Sequence, residues 1–153
     1  MELKEKLLSS FIAFENQDSS DSLFLNELRG EAIKNFETSG FPSKKDEAWK
    51  YTSLRSVLKQ DYSLFPKSEH SIEYRDVQSF FVDDIDTYKI VFIDGKYAAH
   101  LSQTTHEGID VCLMSAALNQ SKYQVVIENY FNKIAAKHGL NALNTAFCSE
   151  GAY

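Results

Sequence analysis

A metal site or a thiolate reaction in this chain would draw on His100, His106, Cys112 and Cys148, the residues able to ligate a soft metal or attack an electrophile. Their spacing is that of neither a zinc finger nor a zincin, and isolated histidines and cysteines usually serve as packing or surface residues. A cysteine nucleophile would also need a histidine and a positive setting nearby, whereas Cys148 stands close to Glu150, which discourages the thiolate. Asp83 with Asp84, or Asp46 with Glu47, could split their pKa values as an acid and a base, but neighbouring carboxylates on a loop are more often a solvated patch. Trp49 and Tyr51 offer a stacking platform for a sugar or a base, although a single tryptophan at a helical start more often anchors that helix to the core. Phosphate-loop chemistry is excluded outright. No two of the six glycines lie closer than ten positions, so neither a P-loop nor a G-x-G-x-x-G can be written. These residues assemble no active site.

The 153 residues, 43% apolar, 25% charged and with two prolines, suit one globular domain with a real core. Sixteen Lys and Arg against 22 Asp and Glu give a net charge of −6 with no long basic stripe, which argues against nucleic acid as a partner. The apolar run 90–93 is four residues, against about 20 needed to cross a bilayer. Glu2 and Glu5 stand where a signal peptide carries positive charge. Two cysteines 36 positions apart are no secreted disulfide framework, so the expectation is a cytoplasmic protein with both thiols free and no membrane contact.

The elements that must hold these residues begin with two helices. Leu3, Leu7, Leu8, Phe11, Ile12 and Phe14 form one apolar stripe. Leu25, Leu28, Ala32, Ile33 and Phe36 form a second, with Ser20 and Asp21 as caps and a stop at Gly40 and Pro42. A short polar linker, 18–22, makes the two an antiparallel pair, and Gly30 allows a close helix contact. Ser43 and Asp46 have the spacing of a capping box and predict a new helical turn.

Residues 59–87, with Pro66 in their midst, read as a long connection with a short strand or turn. The β-branched and aromatic run 88–93, Asp94-Gly95 and the return 96–101 predict a hairpin with a type I′ turn. A short strand over 109–113 and a helical turn over 114–118 follow. Tyr123, Val126, Ile127, Tyr130, Phe131 and Ile134 mark a helix over 122–137 with Gly139 as its C-cap, and 140–147 reads as helical too. The chain thus divides into a helical region over 1–58, mixed strands and loops over 59–121, and a closing helical region over 122–153.

Two stretches then bear on identity. Gly40-Phe41-Pro42 with Asp46-Glu47-Ala48-Trp49-Lys50-Tyr51-Thr52-Ser53-Leu54, and later Ala142-Leu143-Asn144-Thr145-Ala146-Phe147 with Gly151, resemble the N-terminal region of the SufD family of iron–sulfur cluster assembly proteins, related to SufB. The resemblance runs along most of the chain. It implies a non-catalytic scaffold subunit that works with SufB and the ATPase SufC, with the iron–sulfur cluster handled by the full complex and no cofactor in this section. Glu47, Trp49, Lys50, Tyr51, Thr52, Asn144, Thr145 and Gly151 are its structural motif residues, Trp49 packing inward and Lys50 and Thr52 facing out. No catalytic or metal-binding residue carries over.

The fold class expected is α+β, N-terminal helices packed with a small antiparallel sheet, and the resemblance implies that this leads into a right-handed parallel β-helix that is missing here. Gly151-Ala152-Tyr153, a strand start without length, fits a fragment cut before its next coil. A SufB-like paralogue, a stand-alone module whose acidic surface binds a basic partner, and an enzyme using His100, His106 and Cys112 are the competing readings.

Overall fold

The computed structural model describes residues 2–17, 22–65, 71–82, 85, 87–104, 107–134, 139–149 and 151–153. Ser20, Asp21, Pro66, Asp83, Asp84, His106 and Glu150 lie outside the described residues, as do positions 135–138 of the expected long helix. In chain order the elements are α1 (Leu3–Gln17), α2 (Leu23–Ser39), α3 (Arg55–Leu58), α4 (Tyr74–Val77), β1 (Phe92–Ile93), β2 (Lys96–Tyr97), α5 (Met114–Leu118), α6 (Ser121–Tyr130) and α7 (Gly139–Ala146). Short 3-10 turns lie at Glu47–Trp49, Gln78–Phe80 and Ala99–Leu101. The class is α+β, helix-rich with a two-stranded antiparallel sheet. Two compact units form, residues 1–65 with 121–149, and residues 66–120 with 150–153.

The first unit is built on α1, α2 and α7. The cap of α2 is Ser22, whose Oγ accepts from the Leu25 N–H at 3.4 Å, one or two residues later than the serine and aspartate expected to cap it. Gly40 ends the helix with φ +63°, which lets its N–H reach the Phe36 carbonyl at 2.7 Å. The Lys4 ammonium, near the start of α1, donates to the Glu37 carbonyl near the end of α2 at 2.7 Å, so these helices run antiparallel as their short linker requires.

α2 nevertheless packs far more extensively on α7 than on α1. Ser39 Oγ accepts from the Gly139 N–H at 2.9 Å at one end, and Arg29 Nε donates to the Cys148 carbonyl at 2.7 Å at the other. Ten residues of helix span about 15 Å, so the two contacts clamp an antiparallel seam of nearly three turns. Phe11, Phe14, Ala32 and Ala146 form the buried core, with Ile33 and Phe147 packed on it. Phe147 meets Phe11 edge-on at 5.8 Å and Phe14 at 5.1 Å, while Phe65 stacks on Phe14 at 5.4 Å.

Two expectations for this unit are corrected. A Cβ at Gly30 would meet no described atom within 4 Å, so that glycine serves no close helix contact. The helix expected over 122–137 ends at Tyr130, because Asn132 adopts φ +58° and turns the chain out of the helical path. Ile134 consequently leaves the apolar stripe and is 99% exposed. Gly139 is therefore not that helix's C-cap. It opens α7 with φ +57°, where a Cβ would lie 3.6 Å from Pro42 Cδ and 3.8 Å from the Gly40 carbonyl oxygen.

The second unit is organised by backbone pairing. β1 and β2 pair Phe92 with Tyr97 and Ile93 with Lys96, and Asp94 (φ +49°) and Gly95 (φ +80°) supply the left-handed turn that the sequence predicts. The strands are shorter than 88–93 and 96–101. The Ser102 hydroxyl accepts from Val91 N–H and donates to the Ala98 carbonyl, both at 2.9 Å, and so takes the place of a direct ladder bond. That allows the Ala99–Leu101 turn to bury Leu101 before pairing resumes between Lys89 and Gln103.

Of the expected 109–113 strand, Ile109 lies in an isolated bridge and 112–114 pair antiparallel with 151–153. Cys112 and Tyr153 exchange both N–H···O bonds at 3.1 and 2.8 Å, and Met114 N–H reaches the Gly151 carbonyl at 2.8 Å. Among its described residues the 59–87 connection holds no strand and carries α4, begun where the Asp76 carboxylate accepts from Glu73 N–H at 2.9 Å. α5 forms where 114–118 predicts it, burying Ala117 and Leu118.

Candidate functional site

The segment from Gly40 to Lys59 carries the most distinctive chemistry of the first unit. Its local order starts at Ser43. The Asp46 carboxylate accepts from Ser43 N–H at 2.7 Å and Ser43 Oγ at 3.2 Å, which is half of the capping box the spacing predicts. The Ser43 Oγ accepts from Lys45 N–H at 3.2 Å rather than from Asp46 N–H, and Asp46, not Ser43, stands at the cap of the turn that follows. Only the short Glu47–Trp49 turn follows, closed by Thr52 N–H donating to the Trp49 carbonyl at 2.9 Å. Phe41 packs edge-on against the fully buried Phe36 at 5.1 Å and ties the segment to α2.

Trp49 is half-buried, not enclosed; Glu47, Lys50 and Thr52 are exposed. Tyr51 is 91% exposed, with Lys50 Nζ 5.5 Å from its ring centre. The structure does not gather the motif residues into one site. Asn144 faces outward on α7, Thr145 is buried and donates to Asn132 Oδ1 at 3.2 Å, and Gly151 belongs to the other unit. The space beside Thr145, lined also by Asn35, Asn132 and Asn141, amounts to about 20 Å³, room for a single water.

Beside the Trp49 segment an open cleft of about 720 Å³ forms between the start of α1, residues 41–45 and α3. Lys4, Lys44, Lys45, Arg55 and Lys59 line it, against the single carboxylate of Glu2. Lys4 is held at the end of α2, while the other four are exposed and form no ion pair among the described residues. Half-buried Leu3, Phe41, Leu54 and Leu58 give the cleft apolar walls. Leu54 and Leu58, like Arg55 and Lys59, are four apart, so the α3 turn offers an apolar edge beside a cationic one.

Sequence reasoning missed this cleft because whole-chain charge hides it and Lys4 comes 40 positions before its companions. The available signal was the window 44–59, five basic residues against two acidic in a chain of net charge −6.

It also missed Arg29, which stands on the buried stripe of α2 between Leu25 and Ala32 and is 0% exposed. A buried guanidinium needs partners. Nε donates to the Cys148 carbonyl at 2.7 Å, Nη1 donates to Asn26 Oδ1 at 3.4 Å, and the Phe14 ring centre lies 5.5 Å from its central carbon.

The residues first considered for metal or nucleophilic chemistry divide between the two units, with His106 outside the described residues. Cys112 and His100 belong to the second unit and Cys148 to the first. His100 Nε2 is 3.2 Å from the Ile72 carbonyl oxygen, and neither cysteine is in a disulfide. Among the described residues no three His, Cys, Asp or Glu side chains are placed to share a metal ion. No described helix is long and apolar enough to cross a membrane.

Comparison with known proteins adds what geometry alone does not. A family model described as the SufBD protein N-terminal region matches residues 1–153. The iron-sulfur cluster assembly protein SufD of Escherichia coli (strain K12) is 33% identical over 67 residues, which is 44% of this chain and 15% of that protein, so the matched stretch spans far less than two thirds of its relative. No solved structure matches significantly. The motifs at 40–54 and 142–147 thus sit within a family match that covers every residue, and the chain belongs to the SufBD family, whose N-terminal region it carries.

Proposed function

We propose that this chain is the N-terminal section of a component of iron–sulfur cluster assembly that acts in the cytoplasm through protein contacts, in company with SufB and the ATPase SufC, and not through catalysis. The observation that carries this reading is the family match over the whole chain, joined to a curated relative whose name states iron–sulfur cluster assembly. The structure is compatible with a contact role. Its charged cleft is open, its motif residues Glu47, Lys50, Tyr51 and Thr52 face outward, and its buried polar groups Arg29 and Thr145 are spent on holding helices together. In this reading the cluster is handled by the assembled complex, and the family's β-helix continues from this region.

A gene deletion tests the role. Loss of the gene under iron limitation lowers the activity of a cluster-dependent dehydratase, and the full-length gene restores it. Unchanged dehydratase activity in the deletion strain would overturn the reading.

A further inference from the structure

We infer that the cleft between the start of α1, residues 41–45 and α3 is a docking groove for an acidic segment of a partner protein, one in which Asp or Glu side chains are interleaved with apolar ones. Charge is the first reason. The protein carries −6 overall, yet five cations line this cleft against one carboxylate, and four of the five have no ion-pair partner among the described residues. Like charges gathered without counter-charges repel one another, and a local field opposite to the net charge favours an anionic visitor.

The walls decide what kind of anion. Leu54, Leu58, Phe41 and Leu3 are half-buried beside the cations, so the cleft rewards a ligand that brings apolar groups along with its charges. A free phosphate brings none. A long nucleic acid would need a basic track and would meet the acid surplus elsewhere on the chain, whereas a short peptide feels chiefly the charges within a Debye length of about 8 Å. Clustered basic side chains are also an established way for proteins to recognise acidic motifs. The groove assignment does not rest on the assembly role, because peptide binding is read on this protein alone and the deletion phenotype is read in cells.

The test uses the full-length protein and a fluorescein-labelled peptide with a repeating Glu-Glu-Leu sequence, followed by anisotropy. Saturable binding that weakens about tenfold when Lys44→Glu and Lys59→Glu are combined, and that weakens with added salt, is the expected result. Both residues are exposed, and Lys44→Gln with Lys59→Gln gives a smaller loss in the same direction should the reversal disturb folding. Lys34→Glu, an exposed lysine on α2 outside the cleft, leaves binding unchanged. The inference fails if Lys34→Glu costs as much as the cleft pair, or if a repeating Glu-Glu-Ser peptide binds as tightly. It fails also if a single-stranded oligonucleotide or inorganic phosphate displaces the peptide at equal concentration, or if the peptide does not bind.

Discussion

In the helical unit several large side chains are hidden together, Phe36 fully, Phe11 and Phe14 nearly so, and even Arg29 is enclosed, although Tyr51, Tyr130 and Ile134 of the same unit stand exposed. In the unit of residues 66–120 and 150–153, Phe80 is 82% exposed and Val82, Ile85 and Tyr88 also stand out, while among the described residues burial is confined to the smaller Ala98, Leu101, Ala117 and Leu118. One region draws its order from side-chain burial along the α2–α7 seam. The other draws it from backbone pairing, at the hairpin and between 112–114 and 151–153. Burial of an aromatic ring contributes several kcal/mol, whereas a hydrogen bond exchanged with water contributes about 1 kcal/mol net. Substitutions of the same chemical kind should therefore act very differently in the two.

The sharpest contrast is between two phenylalanines. Phe36→Ala should cost about 3–5 kcal/mol in urea unfolding followed by Trp49 fluorescence. Phe80→Ala should stay within about 0.5 kcal/mol, and equal losses would erase the distinction. Arg29→Met keeps apolar bulk on the α2 stripe but deprives the Cys148 carbonyl of its donor, and a loss of about 1–3 kcal/mol by the same measurement is expected. Trp49→Ala, at a half-buried position, should cost about 2 kcal/mol in urea unfolding followed by far-UV circular dichroism, since this variant lacks the fluorescent reporter, and that is below the range of a fully buried aromatic. Gly95→Ala forces a Cβ onto φ +80° and should cost about 1 kcal/mol, seen as faster hydrogen exchange at Tyr97 and Ala98 without change in α2.

The smallest effect belongs to Asp61. Lys6 Nζ donates to its carboxylate at 2.9 Å, and this hydrogen bond, with the lysine's charge second, holds the carboxyl below its ordinary range. A depressed folded-state value stabilises above the unfolded value, and the benefit is lost as pH falls through the folded one. Asp61→Asn should therefore lower the denaturation midpoint slightly at neutral pH and low salt, and not at all in strong acid or high salt.

What the sequence disclosed and withheld follows from range. Helix faces and the hairpin turn are local patterns: Leu25, Ala32 and Phe36 announce a stripe by spacing, and Asp94-Gly95 announces its left-handed turn. Arg29 was not legible because a charge on such a stripe reads as surface, and the carbonyl that holds it lies 119 positions away. Gly139 was misread because a glycine after a periodic run resembles a C-cap, while the break had already come at Asn132. The cleft needs Lys4 and Lys59 side by side, which only the folded chain provides. The family was legible from the motifs at 40–54 and 142–147, since their order needs no tertiary contact to be read.

The contact role is tested most directly by native mass spectrometry of the full-length gene product co-expressed with SufB and SufC of the same organism and purified without oxygen. The account predicts one assembly containing all three polypeptides. A protein that emerges alone while SufB and SufC associate with each other would contradict it.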